Sequence, residues 1–184
     1  MENEELPQYM RIAGSVAGRI AEGQFAEGEK LSGRSKLSSE YQVSPETIRK
    51  AVQLLRDMQV VTVKEQSGVY VRSAENAKRY LQMIGEKLEL RRKKQKLRAL
   101  HDALVRMCEY DVDTEQQEQP DGSTAPFSAD GALLDHRAVC AGYGRAYAML
   151  CDAAGIPAVY VASEQMNHGW NAVRLDGRTW FIDC

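Results

Sequence analysis

The sequence predicts an α+β fold in two units joined by a long helix, and three observations carry this. Residues 7–73 read as three helices followed by two short strands. Residues 74–96 hold one charged helical pattern without proline. Residues 97–184 pass from a helix through a polar stretch to a second helix and three strands. A chain of 184 residues is long enough for two small units, compact units usually running to about 100–150 residues.

Charge follows the same division. Residues 1–98 carry 19 Lys and Arg against 13 Asp and Glu, a net +6, whereas 99–184 carry 5 against 13, a net −8. A basic half can face a polyanion that an acidic half avoids. The basic excess leans on Arg91–Lys96, a run that reads equally as a solvated helix face. No apolar stretch approaches the roughly 18 residues needed to span a bilayer, and Met1–Leu6 is acidic where a secretory signal is basic and then apolar. The expected location is the cytoplasm, with no membrane partner. Four cysteines, Cys108, Cys140, Cys151 and Cys184, lie in the second half without a C-x-x-C pair, so they are expected to be free thiols, with no metal or other cofactor.

The first helix starts at Pro7, a residue tolerated in a first turn, and Tyr9, Ile12, Ala13, Val16 and Ile20 give it one apolar face up to Gly23. Gly28 and Ser32-Gly33 break the chain before a short helix over about Ser35–Tyr41. Ser44-Pro45 opens the third helix, because the serine hydroxyl caps orphan amides and proline at the first position loses a hydrogen bond that was unused. With Ile48, Ala51, Val52 and Leu55 turned inward, Glu46, Thr47, Arg49, Lys50 and Gln53 face out near its start. Arg and Lys at such a helix start can bond a guanine edge or a phosphate. An ordinary amphipathic surface helix has the same pattern, but Val60–Val63 and Val69–Val71 around Lys64–Gly68 then read as a β-hairpin with Gly68 at its tip.

This order resembles the GntR family of bacterial transcription regulators over about residues 7–73. The sharpest stretch is Leu31–Leu37 leading to Tyr41–Lys50, Tyr-Gln-Val-Ser-Pro-Glu-Thr-Ile-Arg-Lys. The resemblance implies a winged helix-turn-helix that binds double-stranded DNA through Arg34 and Lys36, through Ser44, Thr47, Arg49 and Lys50, and through the Gly68 tip. Two departures matter. Many members have Pro-Ser-x-Arg before the short helix and arginine after the capping serine, whereas Ser32-Gly33-Arg34 and Pro45 stand here, so the base read does not transfer. The Ser-Pro-Glu-Thr-Ile-Arg version resembles the branch with a TrkA-type ligand domain, and no such domain follows.

From Ala74 to about Lys96 the residues Ala77, Leu81, Ile84, Leu88 and, after a slip, Leu97 form an apolar stripe. It predicts a linker helix that is either a homodimer seam or a spacer packed back on the winged helix.

In residues 97–184 a helix over Leu97–Cys108 and a polar loop over Asp113–Asp130 are expected, with Ala132–Ala138 ambiguous. A helix then opens at Cys140, and a helix N-terminus favours the thiolate that a nucleophilic cysteine needs. A cysteine in such apolar surroundings is equally a small core residue. Strands follow at Ile156–Ala162, His168–Arg174 and Thr179–Asp183, the last two joined by Asp176-Gly177. A two-residue turn sets Leu175 opposite Arg178 and Trp170 opposite Asp183, which leaves His168 and Asp183 on one face at a diagonal of about 7–8 Å.

Cysteine, histidine and aspartate so placed can serve as nucleophile, base and orienter, and here the chain resembles the transglutaminase-like superfamily. The matching stretches are His101–Leu104 with Tyr110-Asp111, Val139–Tyr143, Ala154–Ala158, His168–Val173 and Leu175–Trp180, within about residues 97–184. The resemblance implies a papain-like α+β domain with Cys140 as nucleophile, His168 as base and Asp183 as orienter, acting through a thioester on a peptide or amide substrate. It equally accommodates an inactive structural copy. In the family Pro-Thr-Trp and further strands follow the aspartate; here Asp183 is followed by Cys184, so a domain truncated at that edge is expected. Two functions follow: a dimeric regulator whose second domain senses or modifies something, or a cysteine protease or amidase tethered to a DNA-binding module.

Overall fold

The computed structural model describes residues 6–116 and 121–184; the start of the acidic leader and residues 117–120 of the expected loop lie outside them. The fold class is α+β, and the chain divides into two compact units at Leu88/Glu89. Each is described in turn.

In the first unit α1 (Gln8–Ala21) packs on α3 (Pro45–Asp57), with α2 (Arg34–Tyr41) against α3. Helix α3 starts as its sequence dictates: Ser44 is the N-cap, its Oγ accepts from Thr47 N–H at 3.2 Å, and Pro45 fills the first position. Strands β1 (Val61–Lys64) and β2 (Gly68–Val71) pair antiparallel with Lys64 opposite Gly68. Gly68 therefore begins β2 at φ +117° rather than forming the tip, which is made by Glu65–Ser67. Leu31 N–H donates to Val69 O and Val71 N–H to Glu29 O, both at 2.9 Å, so residues 29–31 line the other edge of β2. Ile12, Ala13, Ile20, Leu37, Ile48, Leu55, Val60 and Val69 form the core.

The connector is longer than its stripe predicts. Helix α4 runs without a break over Ala74–Met107, so the separate helix expected from Leu97 is its second half. With no proline in the segment, nothing forces an end before Met107. The slip in the stripe marks a change of core. Ala77, Tyr80 and Ile84 are buried in the first unit with Leu81 against them, whereas Leu97 and Leu104 are buried in the second. Up to Ile84 the stripe thus behaves as the packed-back spacer, and Leu88 is 39% exposed.

In the second unit α7 (Cys140–Ala153) lies against the antiparallel sheet β5 (Ala158–Ser163), β6 (His168–Leu175) and β7 (Arg178–Ile182), in the order β5-β6-β7. Gly169, Asn171, Val173 and Leu175 are the buried residues of β6, and their alternation fixes the inner face. Two-residue strands β3 (Glu109–Tyr110) and β4 (Arg137–Ala138) pair in parallel. The expected loop over Asp113–Asp130 holds α5 (Val112–Glu115), a 3-10 turn at Ala125–Phe127 and the start of α6 (Ala129–Leu133). The ambiguous segment resolves into the end of α6 and into β4. Among the described residues no helix is long and apolar enough to cross a membrane.

Asp111 anchors this region. It is 4% exposed, caps α5 through Thr114 N–H and meets Arg137 at 2.9 Å. Its carboxyl is held below the usual range, first by the Thr114 hydroxyl and also by Arg137. A carboxyl depressed in the folded state contributes stability above its unfolded pKa, and that contribution is lost as pH falls through the folded value. Acid titration of unfolding is therefore expected to show a stability loss that begins in the ordinary carboxylate range and continues below it. Asp111→Asn should flatten that limb; an unchanged limb would show that Asp111 does not contribute.

Candidate functional site

The first unit presents the outer face of α3. Glu46, Arg49 and Lys50 are exposed and Thr47 half-buried, its Oγ1 2.9 Å from Ser44 Oγ. Arg49 does not project freely: its Nε and Nη2 donate to the two oxygens of Glu46, each at 2.7 Å. This fork holds the Glu46 carboxyl below its ordinary range and raises the Arg49 guanidinium. Arg34 and Lys36 are exposed on the first turn of α2. Between that turn and the wing lies a recess of about 580 Å³, lined among others by Lys30, Arg34, Lys64 and Gly68.

Lys30 and Lys64 escaped the sequence reading. Their ammonium groups lie 6.0 and 4.6 Å from the centroid of the Tyr70 ring, which gathers both cations at the wing. The Lys64–Gly68 hairpin signal could have pointed to Lys64. Lys30 is placed by a strand-like pairing with Tyr70, 40 positions away, for which the sequence holds no local sign.

In the second unit Cys140 is the first residue of α7, half-buried, with Val139 as an N-cap that offers no side-chain acceptor. Glycines let other segments of the chain close in on this helix. A Cβ on Gly142 would lie 2.4 Å from Pro126 O, 2.8 Å from Ala138 Cβ and 2.9 Å from Ser128 O; one on Gly144 would lie 2.5 Å from the Tyr160 ring. Asn171, 1% exposed, donates from Nδ2 to Gly144 O at 2.8 Å and ties β6 to α7. Because backbone cannot yield as a side chain can, Gly142→Ala is expected to destabilise this unit by about 3 kcal/mol. Both tryptophans, Trp170 and Trp180, lie in this unit, so urea unfolding followed by their fluorescence reads it directly. A midpoint equal to wild type would contradict the packing.

The hairpin has the register set by its turn. Leu175 pairs with Arg178 and Asn171 with Ile182, around Asp176 and Gly177 at φ +52° and +69°. His168 and Asp183 meet: Nε2 lies 3.0 and 2.9 Å from the two carboxylate oxygens. With Nε2 donating, Nδ1 keeps the lone pair that a base requires. The His168 ring stacks on Trp170 at 5.9 Å between centroids, and a recess of about 350 Å³ beside the pair is lined by Met166, Trp170, Phe181 and Ile182. Among the described residues no hydrogen bond joins the Cys140 thiol to His168.

The other thiols are set apart. Burial pushes Cys108 and Cys151 up, and it pushes Cys184 up to about 12, with Asp183 adding to the effect. A thiol held protonated is a poor nucleophile.

Residues 8–71 match the bacterial regulatory proteins of the gntR family. Residues 82–182, more than half the chain, match the transglutaminase-like superfamily. The chain belongs to the transglutaminase-like superfamily. This transglutaminase-like chain carries its gntR-type module on the N-terminal side. Over 66 residues it is 36% identical to the uncharacterized HTH-type transcriptional regulator YjiR of Escherichia coli and 35% identical to the mannosyl-D-glycerate transport/metabolism system repressor MngR of the same organism. Each match covers 36% of this chain, which spans 14% and 28% of those relatives. Among solved structures it is similar to S. agalactiae BusR in complex with its busA-promotor DNA. That likeness has 37% identity and a TM-score of 0.46, covering 53% of this chain and 49% of that one.

Proposed function

We propose that this protein is a DNA-binding transcription regulator of the gntR type, with a second domain that carries a Cys140–His168–Asp183 site. The observation that carries the first part is the Ser44-capped start of α3, whose exposed Arg49 and Lys50 stand with Arg34 and Lys36 of α2 and the Gly68 wing. In a helix-turn-helix that end enters the major groove, and phosphate contacts from the flanking cations fix its register. Thr47 and Ser44 are the polar groups at that end, and Lys30 and Lys64 extend the cationic surface along the wing. The named relatives, one a transcriptional regulator and one a repressor, support the same reading. The partner is double-stranded DNA. Binding is read as a homodimer through residues 74–96; with Ala77 and Ile84 already buried in their own unit, Met83 and Leu88 are the large apolar residues of that segment exposed for a twin.

The experiment is a shift of duplex DNA by the full chain over a series of salt concentrations. Each phosphate neutralised contributes about 0.9 to the slope of log affinity against log salt. A flat salt response, or no shift at low salt, would remove the DNA-binding reading.

A second reading concerns the second domain alone, and the His168–Asp183 contact favours it. An imidazole oriented by a carboxylate, in the same domain as a cysteine at a helix start, has the parts for thioester chemistry on a peptide or amide. The thiolate attacks the carbonyl carbon, the amine leaves with a proton from the imidazolium, and water releases the acyl group. In that reading the protein is a cysteine protease or amidase tethered to a DNA-binding module.

A further inference from the structure

Outside the Cys140, His168 and Asp183 set, one more histidine is constrained by its partners. His101, on the second half of α4, places Nδ1 3.0 Å from Asp102 Oδ1 and Nε2 3.1 Å from the backbone carbonyl of Asp183. Both partners accept and neither donates. The carbonyl has no proton, and the Asp102 carboxyl is held below its usual range, first by the bond to His101 and also by Arg98 and Arg106. Because the Asp183 carbonyl can only accept, its contact with the ring requires a proton on Nε2.

The charged and titratable groups around the ring are Asp102, Arg98 and Lys94 from α4, Tyr147 from α7, and Asp183 with Cys184 after β7. Leu97, Leu175, Trp180 and Ile182 complete an apolar groove of about 250 Å³ beside it, and the His101 side chain is 33% exposed.

The other end of the contact gives the arrangement its meaning. The β6–β7 ladder ends at Ile182, so sheet pairing does not fix Asp183. Its carbonyl is held by His101 and its carboxylate holds His168. We propose that His101 is a positioning residue: bridging Asp102 and the Asp183 carbonyl, it donates from Nε2 and fixes the Asp183 backbone so that its carboxylate keeps the His168 proton on Nε2. This rests on the reading of His168 as the base of the second domain.

Long-range proton–nitrogen NMR correlation on the full chain tests it. The sequence has three histidines, assigned with His136→Asn, His168→Gln and His101→Gln. Expected are a His101 ring with a proton on Nε2 and a His168 ring with its proton on Nε2. In His101→Leu the His168 ring nitrogens shift toward the tautomer mixture of free imidazole. In His101→Gln, whose amide can donate where Nε2 did, they stay. A His101 ring without a proton on Nε2 overturns the bridge, and so do His168 signals that are unmoved in His101→Leu. If the leucine variant does not fold, the proton on wild-type His101 Nε2 decides alone. Alkylation of Cys140 is read separately in His168→Ala. If it is unaffected while the NMR pattern holds, the bridge stands and the thiol reading falls. If it is slowed while His101 Nε2 carries no proton, the thiol reading stands and the bridge falls.

Discussion

Replacing His168 with alanine is expected to slow carbamidomethylation of Cys140 by iodoacetamide at neutral pH about thirtyfold, because an unassisted thiol is only a few per cent thiolate there. The reagent also separates the four thiols. Cys108 and Cys151 are buried and pushed up, and Cys184 is pushed up further, so mass spectrometry of the labelled peptides should find Cys140 first. Asp183→Asn should slow labelling less than His168→Ala does, since it disturbs the ring's orientation and leaves the base in place. The His168–Asp183 contact in the structure is the reason to expect this order. Equal slow labelling of all four cysteines, or an His168→Ala rate equal to wild type, would mark the second domain as an inactive copy of the fold.

Arg49→Ala is expected to weaken binding to a preferred duplex by about tenfold to a hundredfold, the discrimination that one bidentate arginine supplies at a guanine edge. Its partner Glu46 makes the experiment two-sided. In the structure both Glu46 oxygens hold the Arg49 guanidinium, so an arginine that reads a base would exchange one set of acceptors for another. Glu46→Gln should loosen that fork and remove a negative charge from the exposed first turn of α3. Affinity for DNA of mixed sequence is then expected to rise about threefold, with a steeper salt dependence. A duplex preferred by the chain can be selected from a random pool, and both variants measured on it by anisotropy. Unchanged affinity in Arg49→Ala would mean that α3 is not the reading helix.

The parts of the fold that were legible in the sequence are those whose signal is local. Ser44-Pro45 specifies a helix start within two residues, and it is there. Asp176-Gly177 specifies a turn and hence a register, which puts His168 and Asp183 on one face, where they meet. What was not legible depends on distant partners. Helix α4 feeds two cores, so its stripe shifts phase between Leu88 and Leu97 and reads as two helices. Tyr80, absent from the stripe, is fully buried in the first core, because a ring can bury its body where a list of aliphatic residues does not look. The short elements between Val112 and Ala138 lie in a largely polar stretch. They are held by close backbone approaches at Gly131 and Gly142 rather than by any periodicity of their own. The bond from His101 to Asp183 joins residues 82 positions apart.

The stacking of His168 on Trp170 gives the second domain a built-in optical gauge. An imidazolium against an indole withdraws electron density from its excited state and dims its emission, whereas a neutral ring does so far less. With Trp180 changed to phenylalanine, Trp170 is the sole remaining tryptophan. The brightness of the tryptophan then reports on the one ring stacked against it, without label or substrate. An acylating ligand or an opened hairpin would register as a step in light before any product could be identified.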